Sequence, residues 1–431
     1  MSERIKKIKI PILITVILLF VFQGVAIAQD SIIEDRIYRN SIKSVQLFRE
    51  GWNLSYPVIE LFGNVGLVLK FDDLSNEIRN YNYRIVHCKS NWMPSTLSEH
   101  EYLDGLIQDQ IDDYKFSFNT YTSYIHYTLA LPNNNISFRL SGNYALIIYE
   151  GFDESNVAFV KRFMVSEKLV NVEANVTRPV LSIYRDNGHQ INLEVNYGSF
   201  PLEDPYSDLK VAILQNGRWD NPITDLKPLF ERSGLLVYDY QMENVFPAGN
   251  EYRWFDIKSL RYQSPYIESI DYQAGEFIVT LFPEENRSGK VYFFDEDING
   301  RFYIEVQEEN NNDTDAEYVW TDFRFPVKEP AVTGHYYVFG ALTNWDFSEQ
   351  NRMNYDFESS AYSLRLFLKQ GYYNYHIAFV EEGSQVADLS YVEGNHYETE
   401  NDYLIFVYHY GTTSRYERLI GYQIINSLRR K

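Results

Sequence analysis

The stretch Val170-Asn171-Val172-Glu173-Ala174-Asn175-Val176 carries an apolar side chain at every second position and a polar one between. Ile191-Asn192-Leu193-Glu194-Val195-Asn196-Tyr197 repeats the pattern shortly afterwards. Successive side chains of a strand point to opposite faces, so a period of two marks a strand with one buried and one wet face. A helix needs a period near 3.6, and neither stretch has it. Tyr362, Leu364, Leu366 and Leu368 alternate in the same way in the last quarter of the chain. Between such runs lie Leu131-Pro132-Asn133-Asn134-Asn135, Asp186-Asn187-Gly188 and Phe246-Pro247-Ala248-Gly249-Asn250, whose residue types favour turns. Short strands separated by turns predict an all-β chain of tandem immunoglobulin-like β-sandwiches. Helical signals are few. Glu99 to Tyr114 fits a short helix or a loop, and the residues after Ser414 fit one more strand or turn.

One alternation ends and another begins between Ser166 and Val170, which predicts a domain boundary there. A second boundary is expected in Phe325-Pro326-Val327-Lys328-Glu329-Pro330, which reads as a linker. The expected parts are a short N-terminal segment over 29–35, sandwiches over 36–166 and 167–328, and an immunoglobulin-like domain over 329–431. No fixed-period repeat is visible. The Asn-rich, acidic run from Glu308 to Asp315 reads as a solvated hairpin loop.

The first residues point to export. Arg4, Lys6, Lys7 and Lys9 precede an apolar run from Ile10 to Phe22, and Ala26-Ile27-Ala28 supplies small residues at a cleavage position. That order is a secretory signal peptide over residues 1–28. No cysteine follows the cleavage point, so no lipid anchor is expected, and no later segment is apolar and long enough to span a bilayer. The leader carries four positive charges and one negative, so its removal takes the net charge from −21 to −24. Such a surface repels nucleic acid. The single cysteine, Cys88, rules out an internal disulfide, so burial of apolar surface must hold the domains. Aromatic residues make up 16% of the chain, with 37 Tyr and 28 Phe, types that favour strands and interfaces.

Candidate chemistry is thin. Asp295-Glu296-Asp297-Ile298-Asn299-Gly300 begins like a calcium loop, with oxygen ligands at alternate positions and a Gly at the sixth. Position twelve is Val306 instead of the bidentate Glu, and the flanks are strand-like. The better reading is a hairpin with Asn299-Gly300 at its tip. His87-Cys88 sits on a strand expected over Tyr83 to Cys88, where neighbours face opposite ways and cannot share a proton. His100-Glu101 lacks the second His of a zinc protease signature. Asp72-Asp73 could serve a glycosidase only if two carboxylates faced one sugar, and such pairs usually lie on solvated loops. The chain is therefore expected to be no enzyme, with no catalytic, cofactor-binding or metal-ligating residue.

Phe339-Gly340-Ala341-Leu342-Thr343-Asn344-Trp345 and Lys369-Gln370-Gly371-Tyr372-Tyr373-Asn374-Tyr375 resemble the early-set, immunoglobulin-like modules that bind glycogen and starch. A carbohydrate-binding last domain is thus an alternative function, although Trp345 has an equally good structural reading at the hairpin.

A wider resemblance runs almost end to end. Leu69-Lys70-Phe71-Asp72-Asp73-Leu74, Tyr81 to Cys88, Asn91-Trp92-Met93-Pro94-Ser95 and Glu101-Tyr102-Leu103-Asp104-Gly105 open it. Ala248 to Asp256, Asp297-Ile298-Asn299-Gly300-Arg301 and Gly394 to Asn401 continue it. In order and spacing these segments resemble the plug protein family of the type IX secretion system. The resemblance implies a periplasmic protein at the inner face of the outer membrane. Its partner would be the outer-membrane translocon β-barrel of the type IX secretion system, whose periplasmic mouth it closes. Protein transport would then need shape and surface, with no small-molecule ligand. The sequence names no residue at that contact. A secreted cargo protein is a third reading, against which the tail from Leu419 to Lys431 shows no sorting domain.

Overall fold

The two alternating stretches pair with each other. Asn171–Thr177 lies antiparallel to Gly188–Asn196, with Val172 opposite Val195, Ala174 opposite Leu193 and Val176 opposite Ile191. Apolar faces apolar at each of these positions, which fixes the register. The structure, a computed structural model, describes residues 31–384, 386–411 and 414–428. The expected signal peptide lies outside them. Strands account for 46% and helices for 4% of the described residues, so the fold is all-β as expected, and the sheets pack as three sandwiches.

The first sandwich comprises residues up to Ser166. One sheet runs Arg36–Ile37, Val157–Ser166, Gly142–Glu150, Tyr81–Cys88 and Gln108–Gln110, with Val58–Glu60 added in parallel to Val157–Ser166. The other runs Ile42–Arg49, Leu67–Asp73, Ile125–Leu131 and Asp113–Phe116. Phe71, Tyr81, Tyr127, Tyr144, Phe159 and Phe163 fill the space between the sheets. The helix expected near Glu99 is a single turn, Glu99–Tyr102, closed by a Ser98–Glu101 capping box. The remaining residues to Phe116 form three short strands.

The expected division near residue 328 is not where the sheets divide. Tyr318–Pro326 pairs along its whole length with Ala361–Lys369, so that point falls inside a sandwich. The last strands do not join the preceding domain either. Asp402–His409 pairs with Leu209–Gln215, and Arg418–Asn426 pairs with Asp402–His409. The second sandwich is thus built from both sides of an insertion. Its core joins Val172, Leu193, Ile213 and Leu236 to Tyr403, Ile405 and Val407. The third sandwich, from Arg253 to Glu393, is inserted whole. Its core contains Phe255, Val319, Phe323, Tyr336, Tyr373 and Ile377.

The first two sandwiches share a fourth core. Ala145, Ile147, Val160 and Met164 pack against Ala212, Leu214, Leu404 and Phe406. Strands Gly142–Glu150 and Asp402–His409 are therefore covered on both faces, which explains their nearly unbroken apolar sequences.

The insertion is locked to the first sandwich by buried charge. The Asp72 carboxylate accepts from Lys369 Nζ at 2.6 Å and from the Tyr318 hydroxyl at 2.7 Å. It also meets His126 Nδ1 at 2.6 Å. Asp72 and Lys369 are 0% and 1% exposed. Burial opposes ionisation of Asp72, but the Lys369 ammonium and His126 outweigh it and hold the carboxyl below its usual range. The Glu308 to Asp315 loop is more than a solvated hairpin. Asp313 pairs with Lys70 at 2.8 Å, and its carbonyl accepts from Lys369 at 2.7 Å.

Two outcomes are expected. A chain ending at residue 328 lacks strands of both later sandwiches and should show no cooperative thermal unfolding beyond the first one. Lys369→Met leaves Asp72 buried without its cation, so urea titration should show a loss of about 3–5 kcal/mol.

Candidate interaction surface

The motifs singled out in the sequence become structural parts. His87 and Cys88 face opposite sides of their sheet. The His87 ring packs against Tyr102 and Tyr144, while Cys88 enters the core shared with the second sandwich. Burial pushes the Cys88 thiol up to about 12, far from a reactive thiolate. Asp73 accepts from the Tyr81 hydroxyl at 2.7 Å and from Ser75 N at 2.9 Å, so Asp72 and Asp73 serve separate networks. Glu101 caps its helical turn and pairs with Arg415. Trp345 does not stand clear as a sugar platform. Its ring packs on Phe339 and Tyr252, with the Arg218 guanidinium 5.7 Å away.

Asn299 and Gly300 both have positive φ, at 55° and 76°, as expected at a turn. A Cβ on Gly300 would strike the Trp345 and Tyr252 rings, so this close approach requires glycine. Phe302–Ile304 is a strand, but Val291 to Phe294 is not. Asp295 accepts from Trp254 Nε1 and the Tyr266 hydroxyl, both at 3.1 Å. Asp297 accepts from the backbone N–H groups of Asn299 and Tyr252. No set of three or more His, Cys, Asp or Glu among the described residues is arranged to hold a metal ion.

These segments meet where the three sandwiches join. Arg301, from the insertion, pairs with Asp402 of the second sandwich at 3.3 Å and donates to the Leu54 carbonyl of the first. Its guanidinium lies 4.8 Å from the Tyr56 ring, and Tyr56 donates to Asp402 at 3.0 Å. The two chain crossings into and out of the insertion are zipped together. His396 N and Thr399 Oγ1 donate to the Gly249 carbonyl at 2.8 and 2.9 Å, and Asn401 Nδ2 donates to Ala248 O at 2.8 Å. Such paired crossings leave little freedom for a hinge.

With the interior committed to holding one shape, the exposed aromatic side chains become the candidate contacts. Asp113–Phe116 ends its sheet, pairing only with Ile125–Leu131. Tyr114 and Phe116 lie on one side of it, in edge contact at 6.2 Å, and Tyr114 reaches the core ring of Tyr127 at 5.9 Å. Tyr114 touches the core yet is 40% exposed. Phe116 is 60% exposed, Phe118 71% and Tyr121 65%. Tyr121 packs against Tyr272, tilted at 5.0 Å, and against Phe277, edge-on at 5.8 Å, both of the insertion. The strip thus crosses from the first sandwich to the third. Rigid, exposed aromatic groups on a sheet edge suit protein contact. Composition signalled the abundance of these rings; only the topology shows which edge is open.

The junction also carries a proton-dependent element. Glu251 accepts from Glu400 N and the Tyr292 hydroxyl, while its Oε2 is buried without a hydrogen-bond partner. Burial pushes Glu251 up to about 7, with Glu400 adding to the effect. Burial and the neighbouring Glu251 push Asp297 up to about 8. Unfolded, both carboxyls ionise near their ordinary values of about 4. The folded chain therefore holds more protons between roughly pH 4 and 8, and stability from these groups is lost as pH rises through that interval. Thermal unfolding followed from about pH 5 to 8 should show Glu251→Gln with Asp297→Asn flattening the decline.

Comparison with known proteins gives these features a setting. The family model for the type 9 secretion system plug protein 1st domain matches residues 42–167, which is nearly the whole first sandwich. The crystal structure of a hypothetical protein from Parabacteroides merdae ATCC 43184, at 2.30 Å resolution, is similar throughout. It shows 35% sequence identity and a TM-score of 0.89, and the match covers 92% of this chain and 100% of that one. No curated protein matches. The chain belongs to the type 9 secretion system plug protein family.

Proposed function

We propose that the protein is a non-enzymatic periplasmic plug that binds the type IX translocon barrel of the outer membrane and closes its periplasmic side. The carrying observation is the match of the first sandwich to the plug domain family. Three sandwiches fused by a shared core and paired chain crossings support the reading, because a stopper must keep its shape under load. The aromatic strip from Tyr114 to Tyr121 supplies anchors for the contact. The reading requires no bond to be made or broken.

Affinity capture of the tagged protein from envelope extracts should recover a very large outer-membrane β-barrel. Replacing Phe116 and Phe118 together by Asp should reduce that recovery at least about tenfold, since buried aromatic anchors dominate such contacts. The thermal unfolding temperature should stay unchanged, because both rings are exposed. Recovery of no barrel, or full recovery by the double variant, counts against the plug and against this edge respectively.

A further inference from the structure

A cleft of about 590 Å³ opens between the first sandwich and the insertion. Its walls differ in chemistry. One wall is the outer face of the strand pair Tyr318–Pro326 and Ala361–Lys369, where Trp320 lies opposite Phe367 with ring centroids 4.5 Å apart, and where the one cation, Arg365, is already held by Asp322 at 2.6 Å. The other wall carries Arg36, Arg39 and Lys43. Ser44 also lines the cleft, and behind it the Ser44 hydroxyl meets the buried Tyr318 hydroxyl at 2.8 Å, which in turn donates to Asp72. At the rim, Gln350 of the insertion donates to Asn40 of the first sandwich at 2.9 Å.

The charges on the basic wall are only partly matched. Arg39 pairs with Glu150. Arg36 and Lys43 make no ion pair among the described residues, and Asp346 is the one carboxylate lining the cleft. Lys43 sits beside a bulge at Ser44, whose φ is 52°, and is partly buried. Burial lowers the affinity of its amine for a proton, so an approaching carboxylate would relieve a real cost. On a chain of net charge −21, uncompensated cations facing an aromatic wall are a local reversal of the surface.

We propose that this cleft receives an extended segment of a partner protein in which acidic and apolar side chains alternate. A strand presents alternate side chains on opposite faces. One face of such a segment would set its carboxylates against Lys43 and Arg36. The other would set apolar side chains on Trp320 and Phe367. The cleft volume falls in the range of ligand-binding clefts. The inference concerns peptide binding by this chain alone, and so stands or falls separately from the plug reading.

Fluorescence anisotropy of the chain without residues 1–28 tests it, at about physiological salt. The probe is a dye-labelled octapeptide alternating aspartate and leucine. The controls alternate lysine with leucine and aspartate with serine. Saturable binding of the first probe alone is expected, weakened about tenfold or more by Lys43→Glu and by Arg36→Glu, and likewise by Trp320→Ala. Unchanged unfolding temperatures identify these as losses of binding, and Arg36, being exposed, is the variant safest for the fold. Equal binding of the controls, no saturation by about 1 mM, or insensitivity to both charge reversals overturns the proposal. So does displacement of the probe by decanoate that itself saturates the cleft, which would mark it as a site for a small amphiphile.

Discussion

One buried ion pair fixes how the inserted sandwich docks on the first. Asp72 and Lys369 belong to sheets of different sandwiches and meet with almost no access to water. Two charges there are tolerable only because each is satisfied, Asp72 by Lys369, His126 and Tyr318, and Lys369 by Asp72 and the Asp313 carbonyl. The geometry admits one docking position. An apolar face would permit sliding; a charge that must find its partner does not. The shared apolar core fixes the first sandwich to the second in turn, and Arg301 ties all three at one point.

This arrangement explains what the sequence revealed and what it hid. Strands with one wet face, such as Asn171–Thr177, announce themselves by alternation. Strands buried on both faces lose that signature: Ala145 and Ile147 face one core while Tyr144, Leu146 and Ile148 face another. The insertion was illegible for a different reason. Nothing local in Leu209–Gln215 says that its neighbour will be Asp402–His409, because sheet pairing is a long-range choice. Pro326 and Pro330 suggested a linker, yet Pro326 closes a strand. The acidic residue types of the 308–315 run suggested solvent, and Asp313 instead reaches across to Lys70.

The segments that carry the family resemblance acquire a common physical sense. Leu69 to Leu74 contains Asp72; Ala248 to Glu251 and Gly394 to Asn401 form the zipped crossings; Asp297 to Arg301 occupies the triple junction. They hold the sandwiches in place. The open aromatic edge was legible only as composition, since a ring in a core and a ring in solvent are the same letter. The plug proposed here would draw its binding free energy from a few such exposed rings.

Site-specific photo-crosslinking in living cells, with the reactive group at position 116, tests this most directly. The expected product joins this chain to a very large outer-membrane β-barrel, and it diminishes when export is under way. A position 116 that captures no envelope protein, while the folded chain is present in normal amount, contradicts the idea that this rigid body works by contact.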